Sequence, residues 1–130
     1  MSYSFNVVLK GKEFDAVIDL VTEELKKEGF GILTEIDVQQ TLKNRIGADI
    51  QKYRILGACN PHFAYKAIQS EDKIGVFLPC NVVVQENGLG EIEVSAVDPV
   101  ASMISVGNES LGEIAGEVQQ KLKNVIESLT

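Results

Sequence analysis

Residues 82–96, VVVQENGLGEIEVSA, carry the clearest indication of the fold. An apolar run at 82–84 is followed by Asn87-Gly88, a pair typical of hairpin turns. From 91 to 96 polar and apolar residues alternate, as in a strand with one buried face. The segment therefore predicts two antiparallel strands joined by a loop of more than two residues.

Further strands are predicted on the N-terminal side of this hairpin. Periodicity favours strands at 3–9, 32–36 and 53–58, and a continuous apolar run at 74–78 favours another. The strands at 3–9 and 32–36 are expected to be neighbours, because consecutive elements usually lie adjacent. The apolar runs at 74–78 and 82–84 are typical of strands that are covered on both faces.

Amphipathic helices alternate with these strands. Asp37 with Gln40, and Ser110 with Glu113, have the spacing of a capping box at a helix start. Asn60-Pro61 predicts another helix start, with Asn as the cap and Pro in the first turn. From Ser110 onward an apolar stripe runs for about five turns. The fold class is therefore α+β, a mixed or antiparallel sheet packed by helices that include a long amphipathic C-terminal helix.

Length and charge restrict the class of protein further. The 130 residues are typical of a single domain, residues 1–130. A net charge of −7 with two arginines argues against nucleic acid or an anionic membrane as partner. The longest apolar run is too short to cross a bilayer. The N-terminal residues do not resemble a secretory leader, so a cytoplasmic location is expected.

Both cysteines stand beside proline and asparagine, in Cys59-Asn60-Pro61 and in Pro79-Cys80-Asn81. Cys59 precedes a predicted helix start, where unpaired N–H groups would favour its thiolate. The alternative is that each cysteine is a small buried apolar residue. A disulfide would require the two strand ends to adjoin, and the expected reducing compartment disfavours one.

A metal site is a second interpretation of the same residues. Cys59 and His62 have a Cys-x-x-His spacing, and Cys80 could supply a third ligand, so zinc is a candidate metal. Alternatively, His62 points to solvent from the first turn of its helix. Asp98, before Pro99, is either a helix cap or a carboxylate that faces a ligand. No spacing supports a catalytic triad around His62.

The combined motifs resemble the bacterial and archaeal family called domain of unknown function 302. They are Gly57-Ala58-Cys59-Asn60-Pro61, Ala64-Tyr65-Lys66-Ala67, Gly75-Val76-Phe77-Leu78-Pro79-Cys80-Asn81-Val82-Val83-Val84 and Val97-Asp98-Pro99. The resemblance covers nearly the whole chain. It implies a compact α+β domain that pairs as a homodimer, and it implies no established activity or catalytic residue.

The leading hypothesis is a small-ligand-binding or regulatory module. Strand ends beside helix starts are common ligand sites, so a pocket is expected where the segments around Cys59, Cys80 and Asp98 meet. The candidate ligand-binding residues are Cys59, Asn60, Pro61, Cys80, Asn81 and Asp98. One alternative is a thiol- or zinc-dependent enzyme at these residues, and another is a purely structural homodimer. No cofactor is predicted apart from the candidate zinc ion.

Overall fold

The computed structural model describes residues 2–130, which contain five strands and five α-helices. Two short 3-10 turns accompany them, at Ile74–Phe77 and Ile104–Val106. In chain order the elements are β1 (Ser4–Leu9), α1 (Phe14–Lys27), β2 (Gly31–Asp37), α2 (Val38–Ile46), β3 (Tyr53–Cys59), α3 (Pro61–Ser70), β4 (Cys80–Glu86), β5 (Ile92–Val97), α4 (Pro99–Met103) and α5 (Glu109–Ser128).

The strands form one antiparallel sheet in the order β1-β5-β4-β3-β2. The predicted hairpin is confirmed, with Val82 opposite Ala96 in β4 and β5. The expectation that the first two strands are neighbours is wrong, because β1 and β2 form opposite edges of the sheet. α1 connects these strands and contacts both β2 and β4, so it carries the chain across one sheet face.

One face of the sheet builds the core. α1 and α5 pack together on this face, and α5 also contacts β1 and β5. Alternate strand residues, such as Leu56, Val82 and Val94, are fully buried beneath them. The expected cover on both faces of 82–84 is wrong, since Val83, on the opposite face, is only half-buried. The sheet is therefore one layer of a two-layer fold.

α5 confirms the predicted long C-terminal helix. Its apolar stripe is buried from Leu111 to Ile126, and Leu122 is completely inaccessible. The predicted cap at Ser110 is wrong, because Asn108 caps the helix and accepts hydrogen bonds from the backbone N–H groups of Ser110 and Leu111. Both residues are good caps, and only the backbone path into the helix selects between them.

The segment at 74–78 is not the predicted strand. Residues Ile74–Phe77 form a 3-10 turn in which Ile74 is buried and Val76 is 82% exposed. Pro79 follows, joined to Leu78 by a cis peptide bond. Because proline has no N–H for a sheet ladder, β4 begins only at Cys80. Among residues 2–130, no helix is long and apolar enough to span a membrane.

Candidate functional site

A small apolar cavity lies where β3 ends and β4 begins. Its volume is about 30 Å³, enough for one or two water molecules. α3, α4 and α5 close it from the helix side. The lining residues that bear on its chemistry are Cys59, Asn60, Phe63, Cys80, Met103 and Ala115. We call this space the thiol cavity.

Both cysteines are among the residues that line this cavity. Ala58 lies opposite Cys80 in the ladder, so these two side chains share the buried face, and the side chain of Cys59, the next residue, belongs to the opposite face. Gly57, which precedes Ala58, has no side chain, and the side chains of Thr34 and Pro79 therefore lie close to its backbone. A Cβ at Gly57 would overlap the Thr34 side chain and would stand 2.8 Å from Cγ of Pro79. A side chain here would therefore push Pro79, which also lines the cavity.

Asn60 differs from its predicted role. It precedes α3 and Pro61 occupies the first turn as expected, but the Asn60 side chain makes no cap hydrogen bond. Its Nδ2 instead donates to the backbone oxygen of Glu28 at 3.3 Å. Asn60 is only 8% exposed, and its Oδ1 is buried without a partner among the described residues. A buried, unpaired amide oxygen is costly unless a ligand or water satisfies it.

Both cysteines are free thiols. Burial raises the pKa of the Cys59 thiol, so the lowered pKa expected from the start of α3 is not found. Burial also raises the pKa of Cys80 to about 11, and the negative charge that a Cys59 thiolate would carry raises it further. In this apolar setting the loss of hydration disfavours the charged thiolate. Both side chains are therefore neutral thiols near pH 7.

Four of the predicted residues lie outside the cavity lining. Pro61, His62 and Asn81 are exposed. Asp98 caps α4, and its Oδ1 accepts hydrogen bonds from the N–H groups of Val100 and Ala101. The Nε2 of Gln119 on α5 donates to the same oxygen at 3.0 Å. The carboxylate of Asp98 thus ties α4 to α5, and its neighbour Pro99 lines the cavity.

The three predicted zinc ligands do not surround one space. Cys59 and Cys80 line the cavity, whereas His62 does not. In the described part of the chain, residues 2–130, no three His, Cys, Asp or Glu side chains are grouped so that they could hold a metal ion.

A wider cleft adjoins the thiol cavity. It has a volume of about 300 Å³ and lies between α4 and the first turns of α5. Met103 and Ala115 line both spaces, so the Met103 side chain is part of the partition between them. Methionine is unbranched and changes rotamer readily. A modest movement of this side chain would connect the cavity with the cleft.

Sequence reasoning did not identify Met103, Phe63 or Phe30 as lining residues. Met103 stands at the end of a five-residue helix, where periodicity carries little information. Phe63 and Phe30 belong to ordinary amphipathic patterns, in which a cavity wall and a packed core look alike. Only the signal that marked Cys59 and Cys80, a rare residue type next to proline, could be detected in the sequence.

Comparison with known proteins places the chain among uncharacterised relatives. A family model described as "Domain of unknown function DUF302" matches residues 5–129. The fold is similar to that in "Crystal structure of uncharacterized conserved protein DUF302 from Bacillus stearothermophilus", with 25% identity and a TM-score of 0.90. That similarity covers 98% of this chain and 98% of the other. No curated protein matches the chain.

Proposed function

The chain belongs to the DUF302 family, and we propose that it is a binding module whose ligand occupies the thiol cavity. The observation that carries this proposal is the buried Oδ1 of Asn60, which has no hydrogen-bond partner among residues 2–130 and belongs to a residue that lines an otherwise apolar cavity. Polar groups in a natural core are rarely left unpaired. A bound species that donates a hydrogen bond, or that carries a water molecule, would satisfy this oxygen.

The cavity limits the size of the ligand. About 30 Å³ holds a water molecule or an ion, whereas sites for organic ligands usually have volumes of about 300–1,000 Å³. A larger ligand would also need the adjoining cleft and a displacement of Met103. Binding in either case occurs beside α4, the helix that Asp98 fastens to α5. Because Asp98 links α4 to α5, a ligand that moves α4 would also change the packing of α4 against α5, and this change would signal that the cavity is occupied.

Thermal unfolding with a panel of small ligands tests the proposal. The panel contains metal ions, short alcohols, thiols and amides, and the protein is kept reduced. A ligand at 100 times its Kd stabilises a protein by about 2.7 kcal/mol, which raises the Tm of a domain of this size by roughly 10 °C. We expect at least one panel member to produce such a shift.

A pair of matched substitutions locates the binding. Ala64 lines the cavity from α3, so Ala64→Val fills it. Ala16→Val makes the same change at an exposed position of α1. The ligand shift should disappear in the Ala64 variant and persist in the Ala16 variant. The proposal fails if no panel member shifts the wild-type Tm, or if both variants retain the shift.

The uncovered sheet face supports a second candidate function, self-association as a homodimer. Ile36 and Val8 on this face are 47% and 44% exposed, and Val83 lies between them. Among the strand residues that point to this side, all of which the structure describes, Glu93 alone is charged. Two copies with a charge of −7 each repel one another, so a nearly uncharged face is the surface best suited to a second copy.

Sedimentation velocity distinguishes a dimer from a monomer. Val83→Glu places a charge in the middle of this face and should convert a dimer to monomers. Leu89→Glu is the control, because Leu89 is 83% exposed in the hairpin loop. A wild-type monomer at micromolar concentration would exclude this candidate function.

The thiol-dependent enzyme has less support than either candidate. A nucleophilic cysteine reacts as its thiolate, whereas burial raises the pKa of both Cys59 and Cys80. The two free thiols are in keeping with a reducing, cytoplasmic location, which we include in the proposal.

A further inference from the structure

The thiol cavity and the wider cleft beside it share the wall residues Met103 and Ala115. Asn60 lines the cavity, and Ile104, which is 71% exposed, lines the cleft where it opens to the surface. We propose that the two spaces together bind a primary alcohol with a linear aliphatic chain, whose hydroxyl group donates to Oδ1 of Asn60 and whose chain lies in the cleft. This inference rests on the proposed function, for which it names the class of ligand.

The amide of Asn60 is held by its nitrogen atom, which leaves its oxygen free. Nδ2 donates to the backbone oxygen of Glu28 at 3.3 Å, and a Cβ added at Gly29 would stand 3.0 Å from this nitrogen. Oδ1 points away from this turn, because the oxygen and nitrogen of a planar amide diverge. It is buried and has no hydrogen-bond partner among residues 2–130. An oxygen in such a position requires a hydrogen-bond donor.

The surroundings of the cavity favour a neutral donor over an ion. None of the residues that line it, in the described part of the chain, carries a charged side chain. An anion would meet the partial negative charge of Oδ1, and burial of a cation without a counter-ion is costly. Lys66 and Lys121 already hold their ammonium groups 5.6 and 6.0 Å from the ring of Phe63, which is one wall of the cavity. A hydroxyl group is uncharged, donates one hydrogen bond and is small enough for a volume of about 30 Å³.

The cleft has the walls that an aliphatic chain requires. Val100, Met103 and Ile104 offer apolar side chains to a volume of about 300 Å³. Gly112 of α5 also lines the cleft, and a Cβ added there would meet no atom within 4 Å. Glycine weakens a helix relative to alanine, and no contact within the described residues requires it at this position, whereas it leaves the cleft open for a ligand. Rotation of the unbranched Met103 side chain lets a chain pass from the cleft into the cavity.

Isothermal titration calorimetry with a series of linear primary alcohols tests the inference. We expect the association constant to rise about fourfold for each added methylene group until the cleft is filled. The matched ligand for each alcohol is a linear methyl ether with the same number of carbon atoms, which keeps the apolar chain but has no hydrogen-bond donor. The ether should bind at least about fivefold more weakly than the alcohol, because Oδ1 of Asn60 then remains unpaired.

Met103→Phe places a rigid ring between the cavity and the cleft and should remove the gain in affinity with chain length. Leu89→Phe is the control, because Leu89 is 83% exposed in the hairpin loop, and it should retain the gain. Circular dichroism of each variant confirms that the fold is retained. NMR of the wild type needs no variant, and it should show contacts between the methyl group of Met103 and the protons of the alcohol chain.

The inference is overturned if the ethers bind as tightly as the alcohols, if folded Met103→Phe retains the gain with chain length, or if the Met103 methyl group shows no contact with a bound alcohol. Should the alcohols fail while another ligand gives a Tm shift that Ala64→Val removes, the binding module stands and only the class of ligand falls.

Discussion

Removal of the Asp98 carboxylate separates the structural role of this residue from a role in ligand binding. In Asp98→Ala, the backbone N–H groups of Val100 and Ala101 lose their shared acceptor. Loss of an N-cap costs about 1 kcal/mol. The side chain of Gln119 also loses its acceptor, and a hydrogen bond to a charged group is worth about 1.5–3 kcal/mol.

For Asp98→Ala we expect a loss of about 2–3 kcal/mol in the free energy of unfolding. This value is near the lower end of the sum of the two contributions, because Gln119 is only half-buried and water replaces part of its hydrogen bond. Asp98→Asn keeps an acceptor oxygen in the same place and should lose less than about 1 kcal/mol. Urea unfolding followed by circular dichroism measures both values.

A double-mutant cycle with Gln119→Ala isolates the contact between α4 and α5. If Asp98 and Gln119 interact as their 3.0 Å hydrogen bond indicates, the combined variant should lose about 1 kcal/mol less than the sum of the single variants. A loss below about 0.5 kcal/mol for Asp98→Ala, within the range of ordinary surface substitutions, would refute this reasoning. If Asp98→Ala instead left the stability unchanged and abolished ligand binding, the carboxylate of Asp98 would face the ligand.

Three further predictions concern the cavity and its surroundings, and the last of them has a matched control in α5. Between pH 9 and 11 the wild type should lose about 2–3 kcal/mol of stability more than Cys80→Ala. The reason is that the Cys80 thiol ionises at its ordinary pKa in the unfolded chain, whereas burial in the folded protein raises its pKa to about 11. Urea unfolding at a series of pH values measures this difference, and the same pH dependence of stability in both proteins would contradict it. Cys59, which is half-buried, should react with a thiol reagent faster than Cys80 when modified peptides are quantified by mass spectrometry, and equal rates would show that the cavity is open. Gly57→Ala should destabilise the protein by about 1–3 kcal/mol, since its Cβ would stand 2.8 Å from Cγ of Pro79. The control is Gly116→Ala in α5, where the added Cβ meets nothing within 4 Å and should stabilise the protein by up to about 1 kcal/mol. If both variants changed the free energy of unfolding in the same direction, the close approach at Gly57 would not be supported.

Local patterns in the sequence predicted most of the secondary structure. The β4–β5 hairpin and the buried stripe of α5 follow from periodicities of two and 3.6 residues. The apolar run at 74–78 predicts a strand where the structure has a 3-10 turn, because a short apolar run has the same composition in either conformation. Pro79 could have shown that a strand would not extend through this segment.

The sequence predicted where the candidate site lies, but it predicted only some of the residues that line it. Unusual residues next to proline marked the segments around Cys59 and Cys80, and both cysteines line one cavity. His62 and Asp98 are close to these segments in the chain, but His62 is exposed to solvent and Asp98 caps α4. Met103 gave no signal, because its place at the cavity depends on how α4 packs against α5.

The amino-acid sequence by itself determined most of the elements of this protein and the strand ends at which rare residues gather, since periodicity and turn chemistry act over a few neighbouring residues. Only the tertiary structure decided that β1 and β2 lie at opposite edges of the sheet, that both thiols are neutral, and that Met103 faces the same cavity as Cys59 and Cys80. These features depend on the packing of segments that are distant in the chain. Burial and contact between such segments are set by the whole fold, and no local pattern records them.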